Sequence, residues 1–230
     1  MTDDVGLRSA LDTVRDPELD TSIVELGFVT SCTLDADGTA RVRLRLPTFF
    51  CAPNFAFLMA VDARRAVEAL PGVEVVKIFL DDHFTADEIT DAVQGGQTFV
   101  EAFPDLANDE LDELRMLFWR KAFTARQARL IDAQLAAGRS PEELEAMRLG
   151  ELPHDDDGER CRELRSHLGL AADDGSSAFL LGDGAPLTAA QLPRFLRYAR
   201  LVATSLEGNA GLCRGLLRTR YDLTEEEVAV

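Results

Sequence analysis

The chain has 230 residues, 46% of them hydrophobic, enough to bury one large core or a domain and a half. With 41 acidic against 24 basic residues its net charge is -17, which repels phosphate backbones and argues against general nucleic-acid binding. The longest apolar run, Phe55 to Val61, is too short to span a bilayer, and Met1 to Ala10 lacks the basic start and apolar stretch of an export signal; with four scattered cysteines and no CxxC, this predicts a cytoplasmic protein with reduced thiols and no membrane association.

In chain order, Leu7, Ala10, Leu11 and Val14 fall at helical spacing and predict an opening helix that stops near Arg15, because Pro17 disfavours helical geometry at Asp16. Asp16-Pro17-Glu18-Leu19 reads as a turn. Phe28 to Leu34 alternates like a strand, with Phe28, Thr30, Cys32 and Leu34 on one side. Asp35-Ala36-Asp37-Gly38 has the composition of a hairpin turn, after which Thr39 to Leu46 alternates with Ala40, Val42, Leu44 and Leu46 inward and Arg41, Arg43 and Arg45 outward. The two strands are expected to pair antiparallel. From Asn54 the spacing of Phe57, Leu58, Val61, Arg65, Val67 and Leu70 predicts a helix ended by Pro71-Gly72, before a third strand from Val73 to Leu80. Helix, hairpin, helix and strand make a compact α+β layer over residues 1–84, whose chemical groups gather at one edge. Asp16 and Glu18 precede the sheet, Cys51 follows its second strand and His83 its third.

The stretch Pro47 to Phe57 carries the chemistry, because it puts Cys51 where a strand ends and a helix begins. Unpaired N–H groups at a helix start favour a thiolate by roughly 0.3 to 1 kcal/mol, whereas crowding by Phe49, Phe50, Phe55 and Phe57 penalises the charged form. Cys51 therefore reads either as a reactive thiol or as a small hydrophobe closing a core. His83 reads as a ligand, a base or an ordinary strand-end histidine, and Asp16 as a site carboxylate or a turn cap.

Asp16-Pro17-Glu18-Leu19, Ser22-Ile23-Val24-Glu25-Leu26-Gly27, the hairpin, Thr48 followed by Cys51, and Leu70-Pro71-Gly72-Val73 resemble, in order and spacing, the metal-sulfur cluster assembly domain family. That family includes the cytosolic iron-sulfur targeting factor and an accessory protein of phenylacetate degradation. The resemblance covers about residues 5 to 85. It implies a reactive cysteine, matched by Cys51, in a pocket with Asp16 and Glu18 and with Thr48 among the cofactor-binding residues, and a role in maturing iron-sulfur or other metalloproteins. Phe49 and Phe50 stand where the family usually has a small or polar residue, which implies a drier pocket. A cluster held by one chain usually needs four sulfur or nitrogen ligands, more than Cys51, Cys32 and His83 supply. The expected cargo is thus a single iron held by Cys51 with His83 or Asp16, or half of a cluster bridged between two chains of a homodimer, in a weak exchangeable site.

Residues 85–230 read as a mostly helical extension. Thr85 caps a helix through Val93, a long helix is expected from Asp109 to Ala137, and Ser140 caps a short one. Pro153 to Glu159 reads as a loop, Arg160 to Leu168 as a helix and Ala178 to Leu181 as a strand. Two last helices span Ala189 to Ala203 and Gly211 to Arg218, before a mobile Glu225-Glu226-Glu227 tail. Cys161 and His167 lie about 240° apart around their helix, which speaks against a zinc pair, and Cys213 is most simply core. The basic-aromatic run containing Trp119, Arg120, Lys121 and Arg126 either pairs with the chain's own carboxylates or docks an acidic client.

The sequence leads to an accessory maturation factor, more a delivery protein than an enzyme. Its partners would be a client metalloenzyme or the assembly machinery, and the resemblance alone suggests a bacterial metal-dependent oxygenase as client. A metal-free adaptor or folding chaperone, and a thiol enzyme with Cys51 as nucleophile and His83 as base, are the alternatives.

Overall fold

A computed structural model describes residues 3–105 and 111–224. They form two units, Met1–Asp112 with Asn209–Val230, and Glu113–Gly208. As expected for the α+β class, a small sheet lies near the N-terminus and helices dominate the remainder.

In the first unit α1 (Asp4–Asp12) is capped by Asp3, whose carboxylate accepts from the Gly6 N–H, and it buries Leu7 and Leu11 completely. Strands β1 (Val29–Leu34) and β2 (Thr39–Arg45) pair antiparallel through the Asp35–Gly38 turn. Gly38 supplies the turn's left-handed residue at φ +80°, and a Cβ there would come within 2.8 Å of the Glu74 side chain. The register shifts between Val29 and Ser31, so Thr30 is bulged out and exposed rather than inward as its parity predicted. Along β2 the alternation holds: Ala40, Val42 and Leu44, with Leu46 just beyond, are buried, while the three arginines between them keep some exposure.

Helix α2 (Pro53–Glu68) crosses over to β3 (Val75–Asp81), which pairs parallel with β2, giving the order β1-β2-β3. This crossover leaves the ends of β2 and β3 side by side, which is what brings the Cys51 loop and His83 to one sheet edge. Helix α3 (Ala86–Gly95) packs on β3 and α2 through Ile89, Ala92 and Val93 and ends on Gly96 at φ +69°. A turn of helix follows, α4 (Phe99–Ala102), with a capping box between Thr98 and Glu101.

The observed division differs from a boundary at 84/85 for a physical reason. Ile89, Ala92, Val93, Phe99 and Phe103 belong to the same core as the sheet, and so do Ala210 and Leu217 near the end of the chain. The first unit is therefore interrupted by the second.

The second unit holds most of α5 (Leu111–Ala136), then α6 (Pro141–Ala146), a 3-10 turn at Leu149–Glu151, α7 (Asp156–His167) and the first part of α8 (Leu192–Tyr221). The helix expected from Asp109 begins at Leu111 among the described residues; 106–110, like the Glu225–Glu227 tail, lie outside them.

Three expectations are corrected here. The helix expected from Arg160 starts inside the anticipated loop, because the Asp155 carboxylate caps Gly158. No strand forms at 178–181: Ser177 and Leu180 make isolated bridges only, and the segment's polar groups are met partly by backbone groups of Met147, Ala185 and Leu187 and partly by side chains. Arg165, fully buried, donates to the carbonyls of Ala171, Ser177 and Ala178, and buried Gln127 exchanges two hydrogen bonds with the Leu180 backbone. Finally, the two last helices are one. Gly208, Gly211 and Gly215 each cost about 1 kcal/mol relative to alanine in a helix interior, yet α8 runs through all three. No helix among the described residues is long and apolar enough to cross a membrane.

Candidate functional site

Cys51 lies between β2 and α2, one residue before the α2 N-cap Ala52, as a free and half-buried thiol. The helix start gives it little help. Pro53 has no N–H, and the Phe55 N–H is taken by Asn54 Oδ1 at 2.9 Å and Ala52 O at 3.1 Å. The nearest recorded partner of the sulfur is Thr48, whose Oγ1 is 3.2 Å from Sγ. Thr48 and Cys51, joined in the sequence reading only by a motif, thus meet in space.

The phenyl rings do not seal the thiol. Phe49 is 51% exposed and Phe50 75%, and Phe49 meets Phe84, itself 46% exposed, with ring centroids 6.3 Å apart. The Phe84 N–H donates to Phe49 O at 3.0 Å, tying the Cys51 loop to the turn after β3. The drier pocket implied by Phe49 and Phe50 is corrected accordingly: these rings face solvent.

His83 is buried behind the loop. Its Nδ1 accepts from the Thr85 N–H at 3.3 Å and lies 3.0 Å from Thr85 Oγ1, which assigns the proton to Nε2; Nε2 then donates to the Cys51 carbonyl at 2.7 Å. Burial holds its pKa below the usual histidine value, the Cys51 carbonyl partly opposing this and the Arg220 guanidinium adding to it, so the ring is neutral at pH 7. Both ring nitrogens are committed. His83 here positions the Cys51 backbone, and Thr85, expected as an ordinary helix cap, spends its hydroxyl on that histidine.

Asp16 closes the turn at 16–20. Its Oδ1 accepts from the Glu18 and Leu19 N–H groups, each at 2.9 Å, while its backbone bonds Thr21 and Asp20. The residue is 7% exposed, and burial raises its pKa to about 6 against these two hydrogen bonds; the neighbouring Glu18 charge adds to the rise. Asp16 is thus the turn cap that the sequence offered as one of two readings.

The sequence reading of Cys213 as core agrees with the structure. The residue lies on α8, half-buried against the first unit's core, and its thiol is raised to about 11, chiefly by burial and then by the charges of Asp16, Cys51 and Glu18. Ala210, Cys213, Leu217 and Tyr221 recur at helical spacing along this stretch of α8. Arg220 fixes this end of α8 by donating to Leu46 O at 3.1 Å and to Asp82 O, the carbonyls just past β2 and β3. Arg214 faces Glu25 at 4.0 Å.

Cys51, His83 and Asp16 do not make a ligand triad: among the described residues no three His, Cys, Asp or Glu side chains are grouped to hold a metal ion. Of the expected docking residues, Arg126 is buried and forms ion pairs with Asp156 and Asp157, the latter shared with Arg129, so the internal-pairing alternative holds for it. Trp119 stacks on His167 at 4.4 Å and lies under Arg115, Lys121 sits over the Phe118 ring, and Arg120 is exposed.

Comparison with known proteins bears on the first unit. A family model described as iron-sulfur cluster assembly protein matches residues 5–79. An uncharacterized protein of Methanocaldococcus jannaschii is 30% identical over 86 residues, which cover 37% of this chain and 88% of that protein. No solved structure matches the chain. His83 and Cys213 lie beyond the matched family segment, whereas Asp16, Glu18, Thr48 and Cys51 lie within it. Through residues 5–79 this chain belongs to the iron-sulfur cluster assembly protein family.

Proposed function

We propose that the chain is an accessory factor for maturation of iron-sulfur or other metalloenzymes. Cys51 takes up iron or an iron-sulfur cluster transiently as cargo, and the helical second unit docks the client, a metal-dependent oxygenase or similar enzyme. The supporting observation is the position of Cys51, a half-exposed free thiol within the family segment, hydrogen-bonded to Thr48. A sparse donor set suits a carrier, because a site with few protein ligands releases its metal readily. The solvent-facing Phe49, Phe50 and Phe84 offer an apolar rim for a receiving protein.

Anaerobic reconstitution of the full chain with Fe2+ and sulfide tests this. Visible absorbance should develop in the wild type and be lost in Cys51→Ala, while Cys161→Ala, at a buried position of the other unit, should leave it intact. Undiminished absorbance in Cys51→Ala would overturn the proposal. A metal-free adaptor is the second reading, favoured by the exposed aromatic rim, and it predicts that Cys51→Ala still matures the client. The geometry lends no support to a thiol enzyme with His83 as base, since that ring is neutral with both nitrogens engaged.

A further inference from the structure

Within the second unit, α8 carries a face that its own packing does not use. Leu192, Leu196, Ala199 and Ala203 recur at helical spacing and are buried, the first two in that unit's core. Arg194, Arg197, Tyr198 and Leu201 lie on the opposite side, within about 100° of helix surface. Tyr198 is 61% exposed and Leu201 72%, and both arginines are exposed. Other arginines of the unit are matched to its carboxylates: Arg126 and Arg129 to Asp157, Arg160 to Glu163, and Arg200, on the same helix, to Asp132. Arg194 and Arg197 meet no carboxylate among the described residues, although the chain holds 41 acidic side chains. From Leu192 to Leu206 the helix itself contains no acidic residue.

We propose that Arg194, Arg197, Tyr198 and Leu201 form a docking face for a partner protein that presents a short segment mixing acidic and apolar residues. The inference rests on the docking half of the reading above, which it deepens by naming the face, and it requires nothing of Cys51. Arginine and tyrosine concentrate binding energy at interfaces, and the exposed leucine beside them supplies apolar area that docking removes from water. Charge selects the occupant. A nucleic-acid duplex or an anionic bilayer extends well past two arginines and brings its phosphates against a chain of net charge -17. A second copy brings the same net charge again. A short acidic segment lets each guanidinium hold a carboxylate through paired hydrogen bonds and avoids both repulsions. The run on α5 expected to dock a client is largely engaged internally: Arg126 is buried and paired, Trp119 stacks on His167, and Lys121 sits over the Phe118 ring.

Fluorescence anisotropy of a labelled synthetic peptide repeating Glu-Asp-Leu-Phe, titrated with the full chain, tests this. The peptide should bind, and more weakly as salt rises, while a peptide with Gln and Asn in place of its acids should bind less well. The double variant Arg194→Ser, Arg197→Ser should lose roughly tenfold or more in affinity and most of the salt dependence. Leu201→Ser should weaken binding but keep that dependence, and Arg120→Ser, an exposed arginine on α5, should change neither. Every replaced side chain is exposed, so the urea transition followed at Trp119 should coincide with wild type and separate lost docking from lost folding. Undiminished binding by the double variant, equal binding of the neutral peptide, or no binding at all overturns the inference. A dimer in light scattering that Leu201→Ser dissociates assigns the face to a second copy and overturns it as well. Cys51-dependent absorbance on reconstitution should be the same in the double variant, so the cargo reading and the docking face fail separately.

Discussion

Asp16→Asn should stabilise the first unit at neutral pH by about 1–3 kcal/mol, with the gain vanishing below about pH 4. Asp16 is held at about 6 in the native state, above its ordinary value of 3.8, because burial penalises the carboxylate more than the Glu18 and Leu19 N–H groups favour it. Below about pH 4 both folded and unfolded chains keep the proton, and the residue contributes nothing either way. As pH rises toward 6 the unfolded chain has already released its proton while the native state retains it, so native stability falls. Above 6 the folded state carries a buried charge and the full penalty applies. Asparagine keeps an oxygen that can accept from both backbone groups and removes the charge, which gives the sign. Hydrogen exchange of the β2 amides, compared between wild type and variant from pH 4 to 7.5, isolates the effect from the other carboxylates. A variant equal to or weaker than wild type at pH 7 would contradict this account. The same variant, loaded with iron, should retain less of it, since the charge that destabilises the fold is the one that attracts the cation.

Arg165→Met should destabilise the second unit by about 3–5 kcal/mol. The guanidinium is fully buried and donates to the carbonyls of Ala171, Ser177 and Ala178, and it lies over the Phe123 ring at 5.8 Å. Methionine approximates the stem but leaves three carbonyls without their donor, that of Ala178 fully buried. Trp119, the single tryptophan, belongs to this unit and stacks on His167 two residues along α7 from Arg165, so its fluorescence reports the loss directly. Urea titration followed at that residue should show an early transition, with β2 amide exchange in the first unit little changed. An unshifted tryptophan transition would show that the loop 171–180 is held by something other than this cation.

Where local pattern and tertiary environment agree, the sequence was readable. Three arginines alternating with Ala40, Val42, Leu44 and Leu46 admit little but a one-faced strand, and Pro71-Gly72 can only end a helix, so the sheet and its Cys51 edge were legible. The misreadings share a cause in partners distant along the chain. Ala178 to Leu181 looks like a strand because it is apolar and short, yet several of its hydrogen bonds go to the side chains of Arg165 and Gln127, which no local pattern announces. Thr30 follows strand parity until a bulge turns it outward. Arg126 is indistinguishable in sequence from a surface arginine, and only the approach of α7 buries it against Asp156 and Asp157. The glycines of α8 argued for a break that packing overrides.

The interruption of the first unit sets an order of events during synthesis. The family segment, including Cys51, leaves the ribosome early, whereas Cys213, Leu217 and Arg220 arrive only after the whole of Glu113–Gly208 has been made. A nascent chain therefore displays Cys51 before Arg220 can bond the Leu46 and Asp82 carbonyls, and the finished edge is a late product of the polypeptide, whose closure certifies that the intervening helices have been translated.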